Sequence, residues 1–168
     1  TRVGRIYITG NEALSHNQIN RAMKKTNDNH ILNLFQTKKF VAEEFEKDKK
    51  LILEKYNEIG YRDAIIVADS IVQSPEDSTR VDVYMTIDEG GKYYFRDITW
   101  VGNTVYPYEY LNAVLGIKKG DVYDVVTMEK RLFGGGKQTE YDVSKLYRDN
   151  GYLFFNLQPV EMNIEGDS

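Results

Sequence analysis

Apolar and polar residues alternate in three short segments of the first half of the chain, and each segment predicts a β-strand. Arg5 to Thr9 alternates in this way and is followed by the turn residues Gly10 and Asn11. An apolar run covers Arg62 to Val72, and a strict alternation covers Val81 to Asp88. A period of two buries one face of a strand. The polar residues 73–78 separate the last two segments, so these segments predict a hairpin.

Helical patterns lie between the first and second predicted strands. Ser15 followed by Gln18 three residues later is a capping-box signature and predicts a short helix over about 16–25. Apolar residues from Val41 to Ile59 recur at helical spacing, opposite Glu–Lys pairs four residues apart, and predict one long helix. Gly60 ends this helix because glycine adopts the left-handed backbone conformation at low cost. The predicted order is β-α-α-β-β.

The same order begins a second time. Lys55 to Tyr61 recurs as Leu146 to Tyr152, and Ile6 to Asn11 recurs as Ile98 to Asn103. Two independent markers that repeat at one spacing indicate two copies of one module. We therefore predict a first domain over residues 1–91 and a second over residues 92–168.

In the second copy, Pro107 and Gly116 predict the start and the end of a first helix. This copy differs from the first in two respects. Helical sequence from Val126 to Phe133 is interrupted by Gly134-Gly135-Gly136 before a further predicted helix over 140–150. Tyr152 to Ile164 then predicts a strand, and no counterpart of the first copy's last strand follows it. We expect the opening strand, Tyr94 to Val101, to have lost its neighbour. The second domain would then be poorly ordered or completed by a strand from another molecule.

Composition and charge narrow the classes of function. A net charge of −4 gives no electrostatic reason to expect nucleic acid, which is bound through clustered Lys and Arg. The absence of cysteine excludes disulfides, thiolate metal sites and cysteine nucleophiles. No apolar run approaches the roughly 18 residues of a membrane-spanning helix. The N-terminus has neither an initiator Met nor a signal peptide, so we expect a fragment of a longer protein.

No motif predicts catalysis. The Gly134 to Thr139 segment lacks the spacing of a phosphate-binding loop and is typical of a surface loop. His16 and His30 have no acidic or nucleophilic partner at a recognisable spacing. The acidic residues of the third strand region do not cluster as calcium ligands do. We predict no catalytic residue, no cofactor and no metal site. An enzyme remains open only if the Gly-rich segment binds nucleotide.

The predicted strand order leaves one strand at an edge. The hairpin strands pair with each other and the opening strand joins the last one, which places Arg62 to Val72 at the border of the sheet. Such an edge can accept an extended segment of another protein as an additional strand, the mode called β-augmentation. Alternatively, Asp63 and Asp69 protect an inert edge against aggregation. The residues alone leave both interpretations open.

Several of these motifs together resemble the POTRA (polypeptide-transport-associated) repeats of the Omp85 family. The matching motifs cover nearly the whole chain, and their order is the same in both copies. The interruption at Gly134 to Gly136 departs from the family pattern and is similar to one in members from the Bacteroides group. The matching segments are Ile6 to Asn11, Tyr56 to Ala64, Val81 to Gly90, Ile98 to Asn103, Gly120 to Tyr123 and Leu146 to Tyr152.

The resemblance implies an α+β fold of two tandem POTRA-like modules, each a small mixed sheet packed against two helices, with the second module lacking its last strand. It implies a periplasmic fragment of an outer-membrane protein assembly factor, anchored by a C-terminal β-barrel outside this sequence. The implied partners are unfolded β-barrel precursors and accessory lipoproteins or periplasmic chaperones, with no nucleic acid. The alternative is an envelope or cell-division scaffold, FtsQ-like, that docks one folded partner.

The expected site residues form two groups. The edge strands for client binding comprise Asp63, Ala64, Ile65, Ile66, Val67, Ala68, Asp69 and Ile71, with the second-copy counterparts Phe154, Phe155, Asn156 and Leu157. The interdomain hinge comprises Asp88, Glu89, Gly90, Gly91 and Lys92.

Overall fold

The chain forms two compact units, which a computed structural model describes over residues 1–27, 40–101, 106–133 and 156–163. The first unit comprises residues 1–56 and 63–90, and the second comprises 57–62 and 91–168.

The elements of the first unit follow the predicted β-α-α-β-β order. The two helices lie between the first strand and a hairpin. These elements are β1 (Arg2–Thr9), α1 (His16–Ala22), α2 (Ala42–Glu58), β2 (Ile65–Gln73) and β3 (Arg80–Asp88).

The capping box starts α1 as predicted. The Gln18 amide donates to Ser15 Oγ at 3.2 Å, and the Ser15 amide donates to Gln18 Oε1 at 2.8 Å. The helix ends at Ala22, earlier than the predicted residue 25, because Met23 is already extended. The amides of the next three residues donate to Asp48 instead of continuing the helix.

The sheet of the first unit has β3 at its centre. β3 pairs in parallel with β1 and antiparallel with β2, so the strand order is β1-β3-β2. This confirms that the hairpin strands pair and that the opening strand joins the last strand. The sheet and helices bury an apolar core between them. Its members include Ile6, Ile19, Phe45, Ile52, Tyr56, Val83, Met85 and Ile87.

Both outer strands carry an irregularity in register. β1 shifts between Val3 and Ile6, where the buried Asp82 accepts a hydrogen bond from the Arg5 amide at 2.8 Å. A Cβ atom on Gly4 would overlap the same carboxylate oxygen, so any other residue there would displace the Asp82 side chain. β2 shifts between Ile66 and Ala68, which leaves Val67 as a bulge.

The second unit has its own core. The predicted end of its first helix is confirmed, because Gly116 caps the helix in the left-handed conformation at φ 65°. Phe95, Leu111, Leu115 and Leu132 are among the buried residues. The elements are β4 (Tyr93–Val101), α3 (Tyr108–Leu115), α4 (Val125–Phe133) and β5 (Asn156–Asn163).

The opening strand of the second unit has a neighbour, and the expectation that it had lost one is wrong. β4 pairs antiparallel with β5, from Tyr93 opposite Asn163 to Val101 opposite Asn156. In the first unit the corresponding strands β1 and β2 are separated by β3. Backbone N–H and C=O groups without a hydrogen-bond partner are costly, and the pairing of β4 with β5 supplies partners along one flank of each strand. The predicted interruption at Gly134 to Gly136 and the helix over 140–150 lie outside the described residues.

Candidate strand-binding edge

β2 forms one border of the sheet in the first unit. One of its flanks pairs with β3, and no strand within the described part of the chain pairs with the other. Four aliphatic side chains of β2 are about half exposed. They are Ile65 at 52%, Val67 at 52%, Ile71 at 42% and Val72 at 50%. An extended strand with an apolar, unpaired flank is the feature that strand addition requires.

The two faces of β2 are chemically different. Asp69 and Ile71 pair with the buried Met85 and Val83, so their side chains lie on the helix-facing side of the sheet. Ser70 pairs with the exposed Tyr84 and lies on the open side. An added strand would therefore meet a charged position on one face and small or aliphatic positions on the other.

Asp69 is linked to α2 through Lys49. The Lys49 ammonium lies 2.8 Å from Asp69 Oδ2 and 2.7 Å from Glu46 Oε1, and it lies 5.1 Å from the centre of the Phe45 ring. Partial burial acts to lower the pKa of Lys49, but the hydrogen bonds and charges of Asp69 and Glu46 outweigh it and raise this pKa above its ordinary value. The side chain stays cationic and joins the edge strand to the helix.

The open face carries an aromatic pair that sequence reasoning did not identify. The Tyr7 and Tyr84 rings stack with centroids 4.7 Å apart and planes at 13°. Both side chains are about two-fifths exposed. The signal was present, because both tyrosines occupy the polar positions of alternating strands, but the parallel register that makes them neighbours was needed to recognise it.

The opposite border of the sheet, β1, is less suited to strand addition. Directly before β1, the Thr1 carbonyl already accepts a hydrogen bond from the Phe40 amide at 3.0 Å. β1 also alternates buried with exposed positions, whereas eight of the nine residues of β2 are exposed.

The predicted edge residues fall into different parts of the structure. Asp63 and Ala64 precede β2, and Ala64 is buried. The remaining first-copy residues lie in β2 itself. Asn156 and Leu157 lie in the second unit and pair with Val101 and Trp100. Phe154 and Phe155 lie outside the described residues.

The predicted hinge residues include one whose carboxylate is fully engaged. Glu89 accepts hydrogen bonds from the Ala13 amide at 2.9 Å and from the Tyr56 hydroxyl at 2.8 Å. Asp88 accepts a hydrogen bond from the Gly90 amide at 3.1 Å. These contacts belong to the first unit, whereas Gly91 and Lys92 belong to the second. The role of Glu89 in the packing of the first unit was not predicted from the sequence.

The structure also shows the contacts of the other polar residues that were considered as candidate sites. Among the described residues, no group of three or more His, Cys, Asp or Glu side chains could hold a metal ion. Asp82 binds the β1 bulge, and Glu89 binds Ala13 and Tyr56. His30 lies outside the described residues. Within the described ranges, no helix has the length and apolar character needed to cross a membrane.

The fold defines a small α+β module whose sheet has an open strand border. The chain belongs to the POTRA family. The family model, described as a surface antigen variable number repeat, matches residues 1–90 and again residues 93–167.

Two proteins that are named as outer membrane protein assembly factors are similar to this chain in sequence. An outer membrane protein assembly factor of Treponema pallidum is 29% identical over 155 residues, which are 90% of this chain and 17% of the relative. Outer membrane protein assembly factor BamA of Neisseria meningitidis serogroup B is 28% identical over 120 residues, 71% of this chain and 15% of the relative. The chain thus spans less than a fifth of the length of either relative.

A crystal structure shows the same fold. The POTRA3-5 fragment of Haemophilus influenzae BamA matches with a TM-score of 0.55 and 19% sequence identity. The match covers 96% of this chain and 66% of the fragment.

Proposed function

We propose that this chain is a part of an outer-membrane protein assembly factor that lies in the periplasm and binds unfolded β-barrel precursors by adding them as a strand to β2. The names of the Treponema and Neisseria relatives support the assembly role. One observation carries the binding mode. No described strand pairs with the second flank of β2, and four aliphatic side chains of this strand are exposed.

Strand addition suits a client that is unfolded and varied in sequence. Backbone hydrogen bonds supply affinity without requiring particular side chains. The client must lose conformational freedom when it binds, which limits the net affinity and favours release to a later step. The chain therefore acts as a binding module, and we propose no chemical reaction for it.

Further proposals follow from the same role. We propose that β5, which contains Asn156 and Leu157, is the corresponding client strand of the second unit. We propose accessory lipoproteins or periplasmic chaperones as additional partners. We propose that the hinge within Asp88–Lys92 lies at Gly91, because Asp88, Glu89 and Gly90 are held by hydrogen bonds within the first unit.

Ile71→Pro tests strand addition at β2. The Ser74 amide donates to the Arg80 carbonyl of β3, and amide directions alternate along a strand, so the Ile71 amide points away from β3. Proline has no amide hydrogen and is tolerated in an edge strand where the amide faces solvent. We expect the variant to fold and to bind an unfolded outer-membrane protein segment about tenfold more weakly, since it loses backbone hydrogen bonding on the outer flank. The measurement is a titration of a labelled segment, with circular dichroism as the check of folding.

Ile71→Val is the matched control because it keeps the amide and the β-branched shape. It should bind as the native chain does. Native affinity in a folded Ile71→Pro variant would show that clients do not add to this flank.

A second candidate is a scaffold that docks one folded partner, and the stacked Tyr7 and Tyr84 on the open face favour it. Tyrosine is enriched at protein interfaces because it combines a large apolar area with a hydroxyl group. Capture experiments distinguish the two candidates. An assembly factor should retain many unfolded β-rich proteins, whereas a scaffold should retain one folded protein and lose it in a Tyr84→Ser variant.

A further inference from the structure

We propose that Asp69, Lys49 and Glu46 select the segment that adds to β2, favouring a strand with a Lys or Arg that faces α2 and apolar residues two positions to either side. This inference rests on the proposed strand addition, and it specifies the chemistry of the bound segment.

The charges at this position do not balance. Two carboxylates, Asp69 and Glu46, share the single ammonium group of Lys49. The three side chains together carry a net charge of −1 at neutral pH. The Asp69 and Glu46 side chains are 32% and 65% exposed, whereas Lys49 is 17% exposed. A segment that approaches the edge therefore meets the carboxylates more readily than the ammonium group.

The register of strand pairing places a client side chain beside Asp69. Directly opposite residues in a sheet have Cβ atoms about 5 Å apart, and they share a face. A Lys or Arg in the added strand would reach Asp69 and, beyond it, Glu46. A Glu or Asp in the same place would be repelled. Glu44 and Lys47, elsewhere on α2, pair with each other at 3.1 Å.

The neighbours of Asp69 define the flanking positions. Ile71 lies two residues further along on the same face and is 42% exposed. Ile66 lies on the same face before the bulge, opposite the buried Ile87. Apolar client residues two positions from the cation would pack against these side chains and would hold the basic residue at Asp69.

A protective role for Asp69 makes the opposite prediction. A charge on the inner side of an edge strand discourages pairing with any other strand. Removing that charge would then strengthen binding of every segment. If Asp69 instead selects the segment, removing its charge weakens the binding of basic segments and strengthens the binding of acidic ones.

Three peptides test the proposal. They share one alternating strand sequence with apolar residues two positions from the centre, and they differ only in a central Lys, Ser or Glu. We expect the Lys peptide to bind the native chain about fivefold more tightly than the Glu peptide at low ionic strength, because each exposed charge contributes modestly. Asp69→Asn should remove most of this difference, and Glu44→Gln should leave it unchanged.

Each outcome has one meaning. Equal affinities of the three peptides for the native chain overturn the selection and leave strand addition intact. Tighter binding of all three to Asp69→Asn overturns it in favour of protection against pairing. Failure of all three to bind the native chain refutes the proposed function itself.

Discussion

At the scale of single residues, a buried carboxylate determines where α1 ends. Asp48 on α2 is fully buried and accepts hydrogen bonds from three consecutive amides, those of Lys24, Lys25 and Thr26, at 2.7 to 3.0 Å. It also accepts one from the Thr26 hydroxyl at 2.8 Å. The Thr26 amide and hydroxyl are buried and would be costly to leave without an acceptor, so this one side chain fixes the path of residues 24–26 after α1.

Asp48→Ala should therefore destabilise the first unit strongly. The variant leaves three amides and a hydroxyl without their acceptor. We expect a loss of about 2 to 3 kcal/mol in the free energy of unfolding, because the buried Thr26 amide and hydroxyl each cost about 1 kcal/mol or more, whereas the amides of the exposed Lys24 and Lys25 can bind water instead. Urea denaturation followed by circular dichroism measures it.

Glu44→Ala is the control on the same helix, because the carboxylate of Glu44 forms an exposed pair with Lys47. Its effect should stay within about 1 kcal/mol. Similar losses in the two variants would show that the Asp48 hydrogen bonds do not stabilise the fold.

At the scale of elements, α3 is joined to β4 by a hydrogen bond between side chains. Trp100 Nε1 donates to Asn112 Oδ1 at 2.6 Å, and Trp100 is the single tryptophan of the 168-residue sequence. The fluorescence of this residue therefore reports on the second unit alone.

Asn112→Ala tests this connection. The variant loses the acceptor of the indole N–H but gains helix propensity, so we expect a net loss of about 1 kcal/mol. The transition of Trp100 fluorescence in urea should shift to lower denaturant. Asn112→Asp keeps an oxygen acceptor and should shift it less; an equal shift in both variants would count against the hydrogen bond.

The elements also show what a single sequence can predict. Local signals were sufficient for the capping box at Ser15, the end of α3 at Gly116 and the hairpin of β2 and β3, because neighbouring residues determine each of them. The early end of α1 was not predictable, since it depends on Asp48, more than twenty residues away.

The strand pairings also comprise some that the sequence predicts and some that it does not. The edge position of β2 follows from the order of elements and was predicted. The pairing of β4 with β5 was not, because the template of the first unit separates the corresponding strands. The link from Lys49 to Asp69 also required the tertiary structure, although the sequence had indicated Asp69 as a charge that protects the edge in the alternative interpretation.

At the scale of the whole molecule, two POTRA modules follow each other in one chain, and the family match extends over both. Under the proposed function, the repeated module offers one strand-binding mode more than once. Linked weak sites retain an extended client longer than either site alone, provided that the client reaches both. This arrangement suits a protein that holds unfolded chains and passes them on.

Hydrogen exchange at single-residue resolution tests the central claim most directly, with and without a bound unfolded β-barrel segment. The proposal predicts that the segment slows exchange of the β2 amides that point away from β3, within Ile65–Gln73, and leaves the β1 amides unchanged. Unchanged exchange throughout β2 with bound segment present, or slowing confined to β1, would contradict it.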